Sequence, residues 1–448
     1  MTPMPAPPPC GDLRVSDNRR FLVRADGRPF FWLGDTAWQL FHDLNREEAE
    51  FYLRVRAAQG FNVIQAVVLA EHGGRDVPNA YGHLSLQDND PTRPNEGYFE
   101  HVDWIVATAE RLGLYVGMLP TWGSYVIQAP WSKHIRPIFT EENAAVYGKW
   151  LGRRYGGCPN LVWILGGDRV ADGVVNVWRA MANGLRESDG GRHLITFHPA
   201  GGNTSARWVH DETWLDFNMI QSGHACRCGR NWEMIAADYA RRPVKPVLDG
   251  EPIYEDHPFG QQPANGYSDD HDVRQAAYWA VFSGAPGHTY GCHDIWMMNR
   301  PDRHWVATGR MHWREALHLP GALDMRHVRR LMESRPFLTR FPDPSLVRNP
   351  GCDWDHAAAT RDGTPGQSDA TFLMVYTPVV RHLVVQTSAI PARRLRTWWY
   401  DVREGLALDA GERDNPGELG LRPPAYGPDW ALVIDDASAG YAPPGQGA

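Results

Sequence analysis

The chain has 448 residues, too many for one ordinary core and enough for a barrel of roughly 250–350 residues with a smaller second domain. Its 45 Lys and Arg residues against 53 Asp and Glu residues leave a mild acidic excess without a basic stripe, which excludes nucleic acid as a partner. No window approaches 18 uninterrupted apolar residues, so we expect no membrane partner either.

Residues 1–11 are rich in proline and have no cationic segment followed by an apolar one. They therefore predict a disordered lead-in and not a secretory signal, and we expect a cytoplasmic protein. A wrongly assigned start codon would give the same pattern, so export stays an alternative. The six cysteines are scattered without a disulfide framework, which favours reduced thiols.

Eight short apolar runs recur through the first 330 residues, each followed by a polar stretch and most by a segment of helical period. They are nearly continuous in apolar residues, as expected of parallel strands covered on both faces. The runs are residues 30–35, 61–68, 114–120, 161–167, 193–199, 217–223, 246–251 and 287–292.

After the first run, Asn45 predicts the N-cap of a helix, with Glu48 as its capping-box partner and Gly60 as its end. Eight strand–helix alternations predict a closed (β/α)8 TIM barrel, an α/β fold, over residues 12–340. A doubly wound open sheet is the alternative, but the sequence GDTAW after the first run is not the Gly-rich phosphate fingerprint of that fold.

Beyond residue 340 the pattern changes to an alternation of period two, in residues 370–379, 382–388, 394–405 and 430–436. It predicts a small antiparallel β-sandwich domain over residues 341–448. The last twelve residues, ASAGYAPPGQGA, predict a disordered tail.

Catalytic groups of such a barrel follow the C-terminal ends of its strands, because the loops there meet at one mouth. Buried polar groups cost about 1–3 kcal/mol each unless they are partnered, so packing does not explain many of them at strand ends. The residues at or just after the eight run ends are Asp35, Gln65, Trp122, Asp168, His198, Gln221 with His224, Glu251, and His293 with Asp294.

Asp168 after the fourth run and Glu251 after the seventh are the predicted catalytic pair. Glycoside hydrolysis needs two carboxyl groups that flank one bond, and their separation decides between retention and inversion, which the residues leave open. Asp168 could instead cap a helix or pair with Arg169, and Glu251 could pair with an arginine. Asp249, two residues before Glu251 on the same strand face, is an alternative deeper in the barrel.

The other polar and aromatic residues of this set are predicted to bind substrate. Asp35 would accept from sugar hydroxyls, unless it caps a turn, and histidine and amide side chains would orient hydroxyls. Indole faces stack on sugar rings, although a single Trp is more often part of a core. The expected contacts are Asp35, Trp38, Gln65, Trp122, Trp131, His198, Gln221, His224, Tyr254, His293 and Trp296.

The segment HACRC, residues 224–228, contains three soft ligands close together, but Cys-x-Cys is not the spacing of a zinc knuckle. We therefore expect no metal and no organic cofactor. The sequence has no Gly-x-Ser-x-Gly elbow to support a serine hydrolase. The oligomeric state is left open.

FFWLGDTAW (30–38), FNVIQ (61–65), WILGGD (163–168) and DGEPIYE (249–255) resemble the apiosidase-like glycoside hydrolases. In that family a barrel is often followed by a β-domain with a collagen-binding label. The resemblance implies a retaining mechanism, with Asp168 as acid/base and Glu251 as nucleophile. It also implies furanose sugars of plant pectin, such as apiose, as the substrate class.

Two rival functions remain at this point. A metal-dependent hydrolase on the same barrel would need a His-x-His after the first run, where GDTAW stands. A carbohydrate-binding protein without catalysis is the other alternative, and the presence of both carboxylates argues against it.

Overall fold

A computed structural model describes residues 10–129, 135–303 and 305–446. Its first element is a small antiparallel sheet of β1 (Leu13–Val15), β2 (Leu22–Arg24) and β3 (Pro29–Phe30). The predicted lead-in falls mostly on residues 1–9, which lie outside the described residues. Gly11 is held in place, since its N–H donates to the hydroxyl of Tyr115 at 3.0 Å.

The main sheet has six parallel strands in the order β12-β4-β5-β6-β7-β8, and every residue of these strands is buried. Burial on both faces explains why the strands are continuous apolar runs. The strands are β4 (Trp32–Thr36), β5 (Val63–Leu69), β6 (Tyr115–Thr121), β7 (Leu161–Gly166), β8 (Ile195–His198) and β12 (Gly287–Tyr290).

A second sheet contains β9 (Asn203–Thr204), β10 (Asn218–Gln221) and β11 (Val247–Asp249), with β10 and β11 parallel. Strand β10 lies beside β8, and β11 lies beside β12. Each of the eight predicted apolar runs therefore contains one strand of a parallel pair.

Helices follow most of these strands. The predicted capping box at Asn45 is confirmed, because its side chain accepts from the Glu48 N–H at 2.9 Å while Glu48 accepts from the Asn45 N–H at 3.2 Å. The helices are α1 (Leu40–Asp43), α2 (Arg46–Ala58), α3 (Glu96–Arg111), α4 (Glu141–Tyr155), α5 (Val175–Asp189), α6 (Ala206–Val209), α7 (Asn231–Tyr239), α8 (Asp270–Phe282), α9 (His293–Trp296), α10 (Trp313–Ala316) and α11 (Pro320–Glu333). No helix in the described ranges is long and apolar enough to span a membrane.

The C-terminal part consists of two antiparallel sheets, one with the order β13-β14-β15-β20-β17-β18 and one that pairs β16 with β19. They share an apolar core of their own, which includes Leu373, Leu383 and Leu432. The strands are β13 (Phe341–Pro342), β14 (Ala358–Arg361), β15 (Phe372–Thr377), β16 (Leu383–Gln386), β17 (Arg394–Asp401), β18 (Leu406–Asp414), β19 (Glu418–Leu421) and β20 (Trp430–Asp436).

Residues 437–446 differ from the predicted disordered tail, because they pack against the folded chain. The Tyr441 hydroxyl lies 2.7 Å from the Thr371 hydroxyl, and the Ala442 carbonyl accepts from Arg335 at 3.1 Å. These two contacts therefore dock a segment of otherwise disorder-prone composition.

Buried ion pairs join the two parts of the chain. Arg274 of α8 donates to Asp429 at 3.1 and 3.2 Å, and Arg335 donates to Asp435 at 2.8 and 2.7 Å. Both guanidinium groups are almost completely buried, so each needs its carboxylate partner. The C-terminal sheets are thereby fixed against the α8 side of the parallel sheet.

Candidate active site

A cavity of about 480 Å³ opens at the carboxyl ends of the parallel strands. This volume lies within the range that small-molecule sites occupy. Its wall contains both predicted catalytic carboxylates, several aromatic rings and few aliphatic side chains. It is lined by Trp38, Glu71, His72, Trp122, Asp168, Gly201, Gln221, Gly223, His224, Ala225, Glu251, Tyr254, His257, Gly260, Gln261, Trp296 and Val306.

Two glycines position Asp168 after β7. Gly166 and Gly167 have φ of +87° and +115°, where a side chain is disfavoured. A Cβ on Gly166 would also lie 2.2 Å from the His198 carbonyl oxygen. The chain can therefore turn sharply off the strand only with glycine at these positions, and Asp168 follows with a φ of +52°.

The carboxylate of Asp168 contacts a buried cation but remains 29% exposed towards the cavity. Arg169 Nη1 donates to Asp168 Oδ2 at 2.9 Å, and the same guanidinium pairs with Glu71. Burial, and next the negative charge of Glu251, raise the pKa of Asp168 to about 6, although Arg169 opposes the shift. Asp168 can therefore hold a proton under mildly acidic conditions.

Glu251, two residues after β11, lies between two imidazole rings. His224 Nε2 is 3.0 Å from its Oε1, and His198 Nε2 is 2.9 Å from its Oε2. Burial alone would raise the pKa of Glu251, but the contacts with His198 and His224 outweigh it and hold the pKa well below the usual range. The carboxylate is therefore anionic and oriented.

His198 at the end of β8 connects the two carboxylate residues. Its Nδ1 accepts from the Asp168 backbone N–H at 3.3 Å, which assigns the proton of a neutral ring to Nε2, the nitrogen that faces Glu251. One imidazole therefore contacts the backbone of Asp168 and the carboxylate of Glu251, from behind the cavity wall.

His224 belongs to a row of three rings with His257 and His293. His257 stacks on His224 with 4.3 Å between centroids and meets His293 edge to face at 4.5 Å. Burial, followed by the charges of the neighbouring imidazoles, lowers the pKa of His257 to about 2, so this ring stays neutral. The row therefore supports the ring of His224 by stacking.

Aromatic rings form one side of the cavity. Trp38 and Trp122 lie with their centroids 5.3 Å apart, and Trp38 meets His198 edge to face at 5.4 Å. Tyr254 is buried beside Glu251; burial, and next the charge of that carboxylate, raise the pKa of its hydroxyl well above the usual value. Trp296 also lines the cavity, whereas Trp131 lies outside the described residues.

The prediction for Asp35 is wrong. Its side chain points to the outer face of β4, where Arg56 Nε donates to it at 2.6 Å and the Tyr52 hydroxyl donates at 2.5 Å. Neighbouring side chains of a strand point to opposite faces, and Thr36 is the residue directed towards Gln65 on the inner side. Asp35 is therefore part of a buried ion pair with α2 and does not touch the cavity.

The prediction for Gln65 is also wrong, because β5 continues for four more residues to Leu69. Gln65 lies beneath the cavity and donates to the Gly250 carbonyl at 2.9 Å. The residues at the mouth are Glu71 and His72, which the sequence reasoning missed. The apolar run extends to Ala70, so placing the strand end at the end of that run would have found both.

Two further residues lie away from the cavity. His293 is buried behind His257, and its Nε2 lies 2.9 Å from the Thr308 hydroxyl, so the predicted substrate contact is wrong. Asp249 accepts from Ser222 Oγ at 2.7 Å and from Asn231 Nδ2 at 3.1 Å, which directs it to α7. Asp249 is therefore not a deeper alternative to Glu251.

The three soft ligands of HACRC face different partners. His224 contacts Glu251, and the Cys228 thiol lies 3.3 Å from Asp353 Oδ1, while Cys226 is exposed. Among the described residues, one cluster has ligand atoms near one another, namely Asp269, His271 and Asp272. Asp269 and Asp272 already form the capping box of α8.

Two family models together cover most of the chain. The model "Apiosidase-like, catalytic domain" matches residues 16–339, and "Putative collagen-binding domain of a collagenase" matches residues 341–435. A comparison with curated proteins gave no match.

Two solved structures share more than a third of their residues with this chain. A protein described as a glycoside hydrolase is 37% identical over 96% of this chain and 98% of its own, with a TM-score of 0.86. A glycoside hydrolase family 5 structure from Bacteroides vulgatus ATCC 8482 is 36% identical over 96% of this chain and 95% of its own, with a TM-score of 0.88.

The fold and the matches define a glycoside hydrolase. The chain belongs to the apiosidase-like family, which confirms the resemblance seen in FFWLGDTAW, FNVIQ, WILGGD and DGEPIYE.

Proposed function

We propose that the protein hydrolyses a glycosidic bond with retention of configuration, with Asp168 as acid/base and Glu251 as nucleophile. The observation that supports this division of roles is that one cavity shifts two carboxyl pKa values in opposite directions. The pKa of Asp168 is raised to about 6, and that of Glu251 is held well below its usual range. Such a separation is what acid and nucleophile require at one pH.

In the first step, Glu251 attacks the anomeric carbon and the bond to the leaving oxygen breaks, while Asp168 transfers its proton to that oxygen. In the second step, the Asp168 carboxylate takes a proton from water, whose oxygen attacks the anomeric carbon and releases Glu251. His198 and His224 hold the nucleophile in one orientation through both steps.

We propose a pentofuranose, apiose or a related plant sugar, as the glycone. The aromatic wall of Trp38, Trp122 and Tyr254 offers apolar ring faces beside Glu251. Gln221 lines the same cavity, and its buried Oε1 has no hydrogen-bond partner within the described part of the chain. A sugar hydroxyl would satisfy that acceptor.

We further propose that the eight parallel strands close into a (β/α)8 barrel over residues 12–340. The contacts of β10 with β8 and of β11 with β12 support closure. The Thr196 hydroxyl donates to the Phe217 carbonyl at 2.7 Å at one junction, and the Glu255 N–H donates to the Gly291 carbonyl at 2.9 Å near the other. Residues 341–448 would then form a β-sandwich domain.

The test is a panel of aryl pentofuranosides and pyranosides, with the anomer of the first-formed product read by NMR. We expect hydrolysis of a pentofuranoside with retained configuration, lost in Glu251→Gln and retained in Glu404→Gln, which changes an exposed glutamate. Inverted product would contradict the nucleophile role, and exclusive hydrolysis of pyranosides would contradict the substrate class.

A further inference from the structure

The loop that carries His224, residues 222–230, connects β10 to α7 and lies between the cavity and the C-terminal sheets. Its first residue, Ser222, donates to Asp249 Oδ2 at 2.7 Å. Its middle part places His224 Nε2 at 3.0 Å from Glu251 Oε1. Its distal part leaves the parallel-sheet region and meets the C-terminal part of the chain.

In that distal contact a carboxylate of the C-terminal part accepts from the loop. Asp353 Oδ1 lies 3.3 Å from the Cys228 thiol and 3.1 Å from Arg230 Nε. Asp353 thus accepts from two residues of the 222–230 loop at once. Both side chains of the ion pair are about half exposed, at 47% for Arg230 and 46% for Asp353.

The segment that carries Asp353, residues 352–356, is itself fixed on two helices. Gln275 donates to the Trp354 carbonyl at 2.9 Å, and Trp279 Nε1 donates to the His356 carbonyl at 2.8 Å. The His356 ring stacks on Trp232 of α7 with 4.6 Å between centroids. Asp353 is therefore carried by a segment that is bonded to α8 and stacked on α7.

We infer that the C-terminal part of the chain completes the active site, with Asp353 as a positioning residue that holds the 222–230 loop and thereby the contact of His224 with Glu251. The inference rests on the proposed nucleophile role of Glu251. It gives the C-terminal sheets a task in catalysis that is independent of any collagen binding.

The titratable side chains that face Glu251 in the described part of the chain come from several elements, and one of them, His224, belongs to this loop. His198 reaches it from β8, Tyr254 from the segment after β11, and Asp168 faces it from the segment after β7. His224 is the contact that a loosened loop would weaken. The loss of Asp353 should therefore lower the reactivity of Glu251 in part, and should not abolish activity.

The experiment is a double-mutant cycle on the full chain with Asp353→Ala, His224→Ala and the double variant. Loss of a hydrogen bond to a charged group predicts about 10- to 100-fold lower kcat for His224→Ala. A half-exposed ion pair predicts about two- to fivefold lower kcat for Asp353→Ala. Because the contact of His224 lowers the pKa of Glu251, weakening it should raise that pKa. The acidic limb of kcat/KM should therefore move to higher pH in both single variants.

Two controls make the effect specific. Asp353→Asn keeps an oxygen that can accept from Cys228 and Arg230, so it should recover most of the lost kcat. Asp414→Ala removes a carboxylate that is 73% exposed in β18 of the same C-terminal sheets, and it should behave like the wild type.

The inference predicts that Asp353→Ala has no further effect in the His224→Ala background, since both act through one contact. An equal effect in both backgrounds, or unchanged kcat and pH profile in Asp353→Ala alone, would overturn it. Glu251→Gln separates the two proposals. If Glu251→Gln stays active, the nucleophile role fails and this inference with it, whereas an inactive Glu251→Gln beside a fully active Asp353→Ala refutes the loop contact alone.

Discussion

Two buried acids of this chain show how the same sequence pattern gives opposite roles. Asp35 and Glu251 both follow buried apolar runs, but Asp35 faces Arg56 and Tyr52 on the outside of β4. Glu251 faces the cavity between two imidazole rings. The partner therefore decides the role. Asp35 is paired with a fixed guanidinium. Glu251 lies between two imidazole rings, which hold its carboxylate in the anionic form beside the cavity.

The largest effect is expected for Glu251→Gln. Loss of a nucleophile removes the covalent path, so we predict roughly 10⁴- to 10⁶-fold lower kcat. The amide keeps the shape of the side chain, and the melting temperature should change little. Turnover close to that of the wild type in a folded variant would show that Glu251 is not the reacting group.

Asp168→Asn should cost about 10²- to 10⁴-fold in kcat, the usual contribution of a general acid. The loss should shrink for dinitrophenyl glycosides, whose leaving groups need no proton in the first step. Asp172→Asn, an exposed aspartate four residues later, is the matched control and should be neutral. An equal loss for good and poor leaving groups would argue against an acid role.

Asp35→Asn tests the other half of the comparison. It leaves the fully buried Arg56 without its charge partner, which predicts a loss of about 3–5 kcal/mol in the free energy of unfolding. Measured below its lowered melting temperature, the variant should keep near wild-type kcat. A large loss of kcat with unchanged unfolding free energy would mean that Asp35 acts on the substrate after all.

The smallest expected effect concerns the pH profile of kcat/KM. Asp168 must be protonated, so activity should fall as pH rises through about 6, whereas Glu251 stays ionised far below that pH. Glu71 raises the pKa of Asp168, so Glu71→Gln should move the alkaline limb to lower pH. Movement of this limb to higher pH would contradict the assigned electrostatics.

Strand positions and helix starts could be predicted from the sequence, because they depend on local patterns of residues. Apolar runs located the six strands of the main sheet and the parallel pair of β10 and β11, and the spacing of Asn45 and Glu48 located a helix start. Asp168 and Glu251 were predicted as site residues because each stands just after an apolar run, and both line the cavity in the structure.

The sequence did not predict which face of a strand a side chain takes, or at which residue a strand ends. Asp35 was misplaced because one residue of register changes the face, and Gln65 because β5 continues to Leu69. His257 was missed since its contact with His224 joins two separate loops. No local signal reports the contact of Asp353 with Cys228, 125 residues earlier.

The division of roles between Asp168 and Glu251 is tested most directly by trapping the covalent intermediate. Asp168→Asn should be glycosylated quickly by a dinitrophenyl pentofuranoside and deglycosylated slowly, because no base activates water. After acid quench, peptide mass mapping should place one glycosyl unit on the peptide containing Glu251. A unit on another side chain, or turnover with inverted product and no adduct, would contradict the account.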